Sequence, residues 1–236
     1  MIYYKKEVVA FFAARGYNRE KIVKRRGIAM KVLLFNGSIH EKGCTYTALS
    51  EVARVLREEG IETEILWIGA QPVQDCISCG KCKELHRCVF GNDPVNGWTE
   101  KAMQADGFVF GSPVYYAHAC GRLLSAMDRM FYSSSKSFAL KPGAVVVSAR
   151  RGGTTCSLDD LQKHLSIVGM PVISSTYWNM VHGNAPEEVA KDEEGMQTMR
   201  NLGHNMAWIL KCIEEGKKAG IAVPKPEKTA RTNFIR

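Results

Sequence analysis

Lys31–Thr45, KVLLFNGSIHEKGCT, decides how the rest of the chain is read. Lys31–Phe35 is a short apolar run of the kind shown by a strand buried on both faces. It breaks at Asn36-Gly37-Ser38, and a helical apolar pattern resumes at Thr45. A strand, a polar glycine-bearing loop and a helix start aim backbone N–H groups and a helix N-terminus at an anion. The loop has neither the terminal Gly-Lys-Ser/Thr of a nucleotide P-loop nor the three glycines of a dinucleotide fingerprint. Its side-chain donors are Ser38, Cys44 and Thr45, with His40 as a further one. That set suits a phosphate monoester held by hydroxyls and amides, without a lysine or magnesium. The alternative is an ordinary βα turn capped by Thr45.

Working outward, Thr45–Glu59 predicts a helix, with Leu49, Val52, Val55 and Leu56 as its apolar stripe and Gly60 as its C-cap. Ile61–Ile68 alternates like a half-buried second strand. Gly107–Gly111 is the third strand, running out into Ser112-Pro113-Val114-Tyr115-Tyr116. A helix from Leu123 through Tyr132 follows, then a fourth strand, Gly143–Ser148, with the loop Ala149–Thr154. Leu158–Val168 is helical, Pro171–Ser175 is the fifth strand, and Pro186–Gly216 is a long helix interrupted near Gly195 or Gly203. Five short apolar strands alternating with helices predict an α/β fold, a doubly wound five-stranded parallel sheet in a three-layer α/β/α sandwich.

The formal charge of +8 is unevenly distributed. Residues 1–29 carry a net +6, residues 217–236 a net +5, and residues 30–216 a net −3. The expected organisation is therefore a basic appendage at 1–29, one domain over 30–216 and a basic tail at 217–236. The domain itself carries no charge argument for nucleic acid. No stretch approaches the ~20 apolar residues that span a membrane, and the N-terminus does not read as a secretory signal. Eight cysteines without an export signal point to a reducing compartment, the cytoplasm, where clustered thiols bind metal or do redox work.

Ligands of such sheets sit beyond the carboxyl ends of the strands, where strand order reverses. Three unusual loops lie there. The first suits a phosphate. The second brings Pro113, Val114, Tyr115 and Tyr116, rigid and aromatic, as a planar ligand requires. The third supplies Gly152 and Gly153 for close backbone approach and Arg150 and Arg151 for negative charge. A phosphate in one loop and a ring between the other two describe a mononucleotide-like cofactor with a large planar base.

The run NGSIHEKGCT, followed later by ADGFVFGSPVYYAHACGRLLSAMDR, resembles the flavodoxin-like NADPH-dependent FMN reductase family over roughly residues 30–216. The resemblance implies a flavodoxin-like fold with FMN as cofactor. Ser38, His40, Cys44 and Thr45 would hold its phosphate; Pro113–Tyr116, Arg150, Gly152 and Gly153 would flank its ring. His40 stands where the family often has arginine, and Cys44 where it often has asparagine. It further implies a homo-oligomeric oxidoreductase with NAD(P)H as co-substrate and a quinone, nitro, azo, flavin or protein redox centre as acceptor. No side chain is assigned as a catalytic acid or base.

Cys76, Cys79, Cys82 and Cys88 follow the spacing C-x2-C-x2-C-x5-C. They lie too close together for the two separated pairs of a zinc ribbon. Successive x2 spacings are how cubane iron–sulfur clusters are gripped, and the spacing is similar to that of iron–sulfur flavoproteins in the same superfamily. A [4Fe–4S] cluster, zinc, and free or reversibly oxidised thiols remain the three readings. With a cluster, the protein could instead be an electron carrier between proteins. A flavodoxin-shaped binding module without catalysis is the third functional class.

Overall fold

The computed structural model describes residues 30–232 and 234, so the expected appendage at 1–29 lies outside the described residues. The parallel strands are β1 (Lys31–Asn36), β2 (Glu62–Trp67), β3 (Gly107–Tyr115), β5 (Gly143–Ala149) and β6 (Met180–His182), with the short β4 (His118–Ala119) antiparallel to β3. Their order, β2-β1-β3-β5-β6, is the flavodoxin-like one expected from the sequence. The helices are α1 (Cys44–Glu58), the single turn α2 (Cys82–Leu85), α3 (Val95–Gln104), α4 (Gly121–Ser134), α5 (Thr154–Ile167), the single turn α6 (Pro186–Val189) and α7 (Glu193–Lys218). None in the described residues is long and apolar enough to cross a membrane.

The central strands read as unbroken apolar runs because both of their faces are buried. Leu33, Phe35, Phe108, Phe110, Val145 and Val147 face α3, α4 and α5, where Phe35 stacks on Phe110 and Phe131 on Phe138. Val32, Leu34, Val109, Ala144 and Val146 face α1 and α7. In register, Asn36 lies opposite both Trp67 and Gly111, Pro113 opposite Ser148, and Ala149 opposite His182. The carboxyl ends of the strands therefore form one edge, and strand order reverses there between β1 and β3.

One expectation is corrected and one is narrowed. Pro171–Ser175 makes a single bridge, Gly143 to Val172, and the strand pairing with β5 is Met180–His182. Pro171 has no N–H to give a ladder and contributes only its carbonyl, to Gly143 N at 2.9 Å. The final helix is interrupted close to Gly195, as expected, and not at Gly203. It breaks between α6 and α7, where Asp192 caps α7 by accepting from Gly195 N at 3.0 Å. Gly203 stays helical and lets α7 approach α1, since a Cβ there would lie 2.8 Å from Val55 Cβ.

Candidate functional site at the strand-end edge

The first loop is built from within. Asn36 is fully buried at the end of β1; its amide donates to Glu41 O at 2.9 Å and accepts from Ser38 N at 3.1 Å. Ser38 Oγ in turn accepts from His40 N at 3.1 Å. Trp67, ending β2, donates its indole N–H to Ser38 O at 2.8 Å. On the opposite side Gly37 N donates to Gly111 O at 2.8 Å, and Cys120 Sγ to Gly37 O at 3.0 Å. The loop is thus anchored to β2, β3 and the start of α4. Beyond it the N–H groups of the first turn of α1 have no intrahelical acceptor and face the loop with the helix dipole behind them.

The four expected phosphate donors are not equivalent. Ser38 is buried within the loop and His40 is exposed on it. Thr45, only 1% exposed, shares a hydrogen bond of 2.8 Å with Ser148 Oγ at the end of β5. Its hydroxyl therefore ties the start of α1 to β5. Cys44, the first residue of α1, turns toward Gly183 O at 3.8 Å, and burial pushes its thiol pKa up, so it is neutral at pH 7.

The second segment is not a loop. Ser112–Tyr115 continues β3, and a tight turn at Tyr116-Ala117 returns the chain as β4, pairing Val114 with Ala119 and Tyr115 with His118. Both turn residues have positive φ, 49° and 62°. A two-residue hairpin needs that, and Asn-Gly normally supplies it. Such non-glycine strain tends to collect at functional sites. Tyr116 is 99% exposed at the tip, while burial, then the nearby Cys120, raises the Tyr115 phenol pKa. His118 is engaged locally, with Nδ1 2.6 Å from Ala119 O.

Gly153, with φ of 90°, caps α5 and lies against this hairpin: a Cβ there would sit 2.5 Å from Ala117 Cα and 2.9 Å from Val114 Cγ1. The second and third segments therefore pack directly on each other. Arg150, Arg151 and Gly152 are exposed on the rim. Asn179 is buried behind β5, where its carbonyl accepts from Val147 N, and His182 ends β6. Asn36, Trp67 and Ser148 escape a sequence reading. For Asn36 a turn-forming residue directly after an apolar run is a usable signal; Ser148 has none, because its partner lies 103 residues away.

The cysteines form a second locus on the α3 and α4 side of the sheet. Cys76, Cys79, Cys82 and Cys88 line one small recess with Phe90, Arg129 and Tyr132. Burial, then its three neighbours in turn, pushes the Cys82 thiol up. Among the described residues no group of three or more His, Cys, Asp or Glu side chains is gathered closely enough to hold a metal ion. Cys88 is the fixed member: its N–H donates to Asn96 Oδ1 at 3.0 Å and its carbonyl accepts from Asn96 Nδ2 at 3.1 Å. Cys79 is exposed on a segment that turns with positive φ at Ser78 and Gly80.

The edge thus combines the point where strand order reverses, a free helix start and a strained hairpin. The model of the NADPH-dependent FMN reductase family matches residues 30–185, and the chain belongs to that family. It is 33% identical to an iron-sulfur flavoprotein of Methanocaldococcus jannaschii, over 79% of this chain and all of that one. Two solved structures share the fold. RosB with bound 8-demethyl-8-formylriboflavin-5'-phosphate has a TM-score of 0.61 at 15% identity, covering 88% of this chain and 94% of its own. A flavodoxin from the domain Archaea has a TM-score of 0.52 at 12% identity, covering 77% and 99%. The protein is a flavin-dependent oxidoreductase of flavodoxin-like fold.

Proposed function

We propose that this chain binds FMN across the first loop, the β3–β4 hairpin and the Gly153 turn, and passes electrons from NAD(P)H to an acceptor. The observation that carries the reading is the convergence of these three segments on the edge where strand order reverses. Amides of the first loop and the α1 N-terminus, with Ser38, Thr45, Cys44 and His40, hold the phosphate. Pro113–Tyr116, with Gly153 packed against it, presents one rigid wall to the ring, and Arg150 and Gly152 border it on the rim. Bound FMN supplies the electron chemistry, and the chain positions it and limits access. The acceptor is a quinone, nitro or azo compound, a free flavin or a protein redox centre, and the reaction runs in a cytoplasmic homo-oligomer. No side chain serves as acid or base; backbone N–H groups stabilise the reduced ring.

In donor type and spacing the four cysteines suit a [4Fe–4S] cluster, although as placed they are not gathered closely enough to hold it: four soft donors line one recess, with a buried cation beside Cys88. Cys76, Cys79 and Cys82 would be drawn toward the anchored Cys88. This recess favours a second reading, an electron carrier that exchanges single electrons with protein partners and does not turn over nicotinamide. Anaerobic purification followed by an absorbance spectrum, flavin chromatography and iron and sulfide analysis tests the binding claims. Bleaching by NADPH or NADH at catalytic rates supports the first reading; reduction by one-electron donors alone supports the second. Released flavin running as FAD, or a colourless protein that takes up no FMN, sinks both.

A further inference from the structure

Arg129 lies in the middle of α4 with its side chain sealed from solvent. A charge there has to be matched, and its donors all go to the cysteine segment. Nε donates to Cys88 Sγ at 3.2 Å. One terminal nitrogen donates to Gln74 O at 3.1 Å and Asp93 Oδ2 at 2.5 Å, the other to Asp93 Oδ1 at 2.9 Å. The guanidinium also lies 5.1 Å from the centre of the Phe90 ring. It thus holds the chain just before Cys76 and at Cys88. Burial works against its charge, but the bonds to Asp93 and Cys88 outweigh that and raise its pKa.

A purely structural ion pair would need Asp93 alone. The Nε–H aimed at sulfur is the additional feature, and a neutral thiol is a weak acceptor for it. A metal-bound thiolate is a strong one.

We propose that Arg129 positions Cys88 and sets the reduction potential of an iron–sulfur centre on these cysteines. The proposal rests on the reading that they hold a cluster. With a cluster held there, one-electron transfer to it from the flavin or an external one-electron donor would break no bond and move no proton, so negative charge would build up on the sulfur ligands. An N–H directed at one ligand and a sealed guanidinium favour that added charge. Asp93 partly offsets the effect, which makes the two residues levers of opposite sign.

The test is EPR-monitored redox titration of anaerobically reconstituted protein, with iron content as the check on loading. Arg129→Lys keeps a charge but loses the planar fork. Its reduced-to-oxidised ratio at a fixed potential is expected to fall about tenfold, a shift of 59 mV for a one-electron couple. Asp93→Asn is expected to shift the potential the opposite way. Should a variant fail to fold, wild-type protein labelled with 15N-arginine decides: a nitrogen coupling to the spin of the reduced centre is expected. A wild-type protein that holds no iron after reconstitution overturns the cluster reading and this proposal with it. A loaded protein lacking that coupling, or an Arg129→Lys variant at the wild-type potential, leaves the cluster in place and overturns the role of Arg129.

Discussion

Gly153→Ala tests whether the hairpin and the third loop form one wall. Gly153 sits at φ 90°, where an alanine costs about 1–2 kcal/mol. Its new Cβ would also stand 2.5 Å from Ala117 Cα, a backbone atom that cannot rotate away, and 2.9 Å from Val114 Cγ1. Forced contacts of this kind cost about 1–3 kcal/mol. The sum, about 2–5 kcal/mol, lowers the melting temperature by about 4–20 °C in a domain of this size. The strain is relieved most easily by pushing the Tyr116-Ala117 tip outward, because that turn is itself strained and exposed. FMN affinity should therefore fall by more than tenfold, about 1.4 kcal/mol, through lost shape at the ring. Gly152→Ala is the stability control, since a Cβ there meets nothing within 4 Å and φ is not positive. Calorimetry of the flavin-free protein and fluorescence titration with FMN give both numbers. A Gly153→Ala protein melting within about 2 °C of the parent would show that the hairpin does not rest on this turn.

Thr45→Val strands the Ser148 hydroxyl in the interior, so the flavin-free protein should lose about 1–3 kcal/mol in denaturant unfolding. FMN affinity should drop by a similar amount in Thr45→Val and less in Ser148→Ala; equal affinities in parent and Thr45→Val would remove Thr45 from the phosphate site. Cys79→Ser should abolish most bound iron and the broad visible absorbance while the flavin bands persist. An iron content equal to the parent's would exclude Cys79 as a ligand. Glu51 accepts from Arg54 at 2.9 Å and from Arg200 at 3.1 Å, and Arg54, then Arg200, holds its pKa below the ordinary 4.5. The unfolded chain takes up that proton first, so the stabilisation is complete above pH about 4.5 and disappears as pH falls through the folded value. Glu51→Gln should flatten the acid limb of stability against pH, and an unchanged limb would count against the pair.

The parallel layers were legible because burial on both faces leaves a periodicity-free apolar run, as in Lys31–Phe35 and Gly143–Ser148. The β3–β4 hairpin was not, because its turn is Tyr-Ala in a conformation that Asn-Gly usually signals. Pro171–Ser175 looked like a strand on composition alone. What distinguishes it from Met180–His182 is which segment reaches the free edge of β5, a tertiary fact. Thr45 shows the same limit at one side chain. Its type and place suit a phosphate, but its present partner is Ser148, which no local pattern announces.

The cysteine locus separates what spacing can and cannot say. C-x2-C-x2-C-x5-C announces four soft donors, yet it treats them as equals, whereas the fold gives them unequal footing. Cys88 is held by Asn96 through its backbone and by Arg129 through its sulfur, the latter from 41 residues downstream. The local trace of that link is one arginine within the apolar pattern Met127–Phe131, easily read as a solvated charge. The residue just before the same helix is Cys120, whose thiol holds the first loop through Gly37 O. At 1.5 Å per residue, the nine steps from Cys120 to Arg129 span about 13–14 Å. A single rigid strut therefore runs from the proposed flavin loop to the anchored cysteine. The two proposed redox centres are thereby held in fixed relation within one chain, although the segment carrying Cys79 is itself exposed.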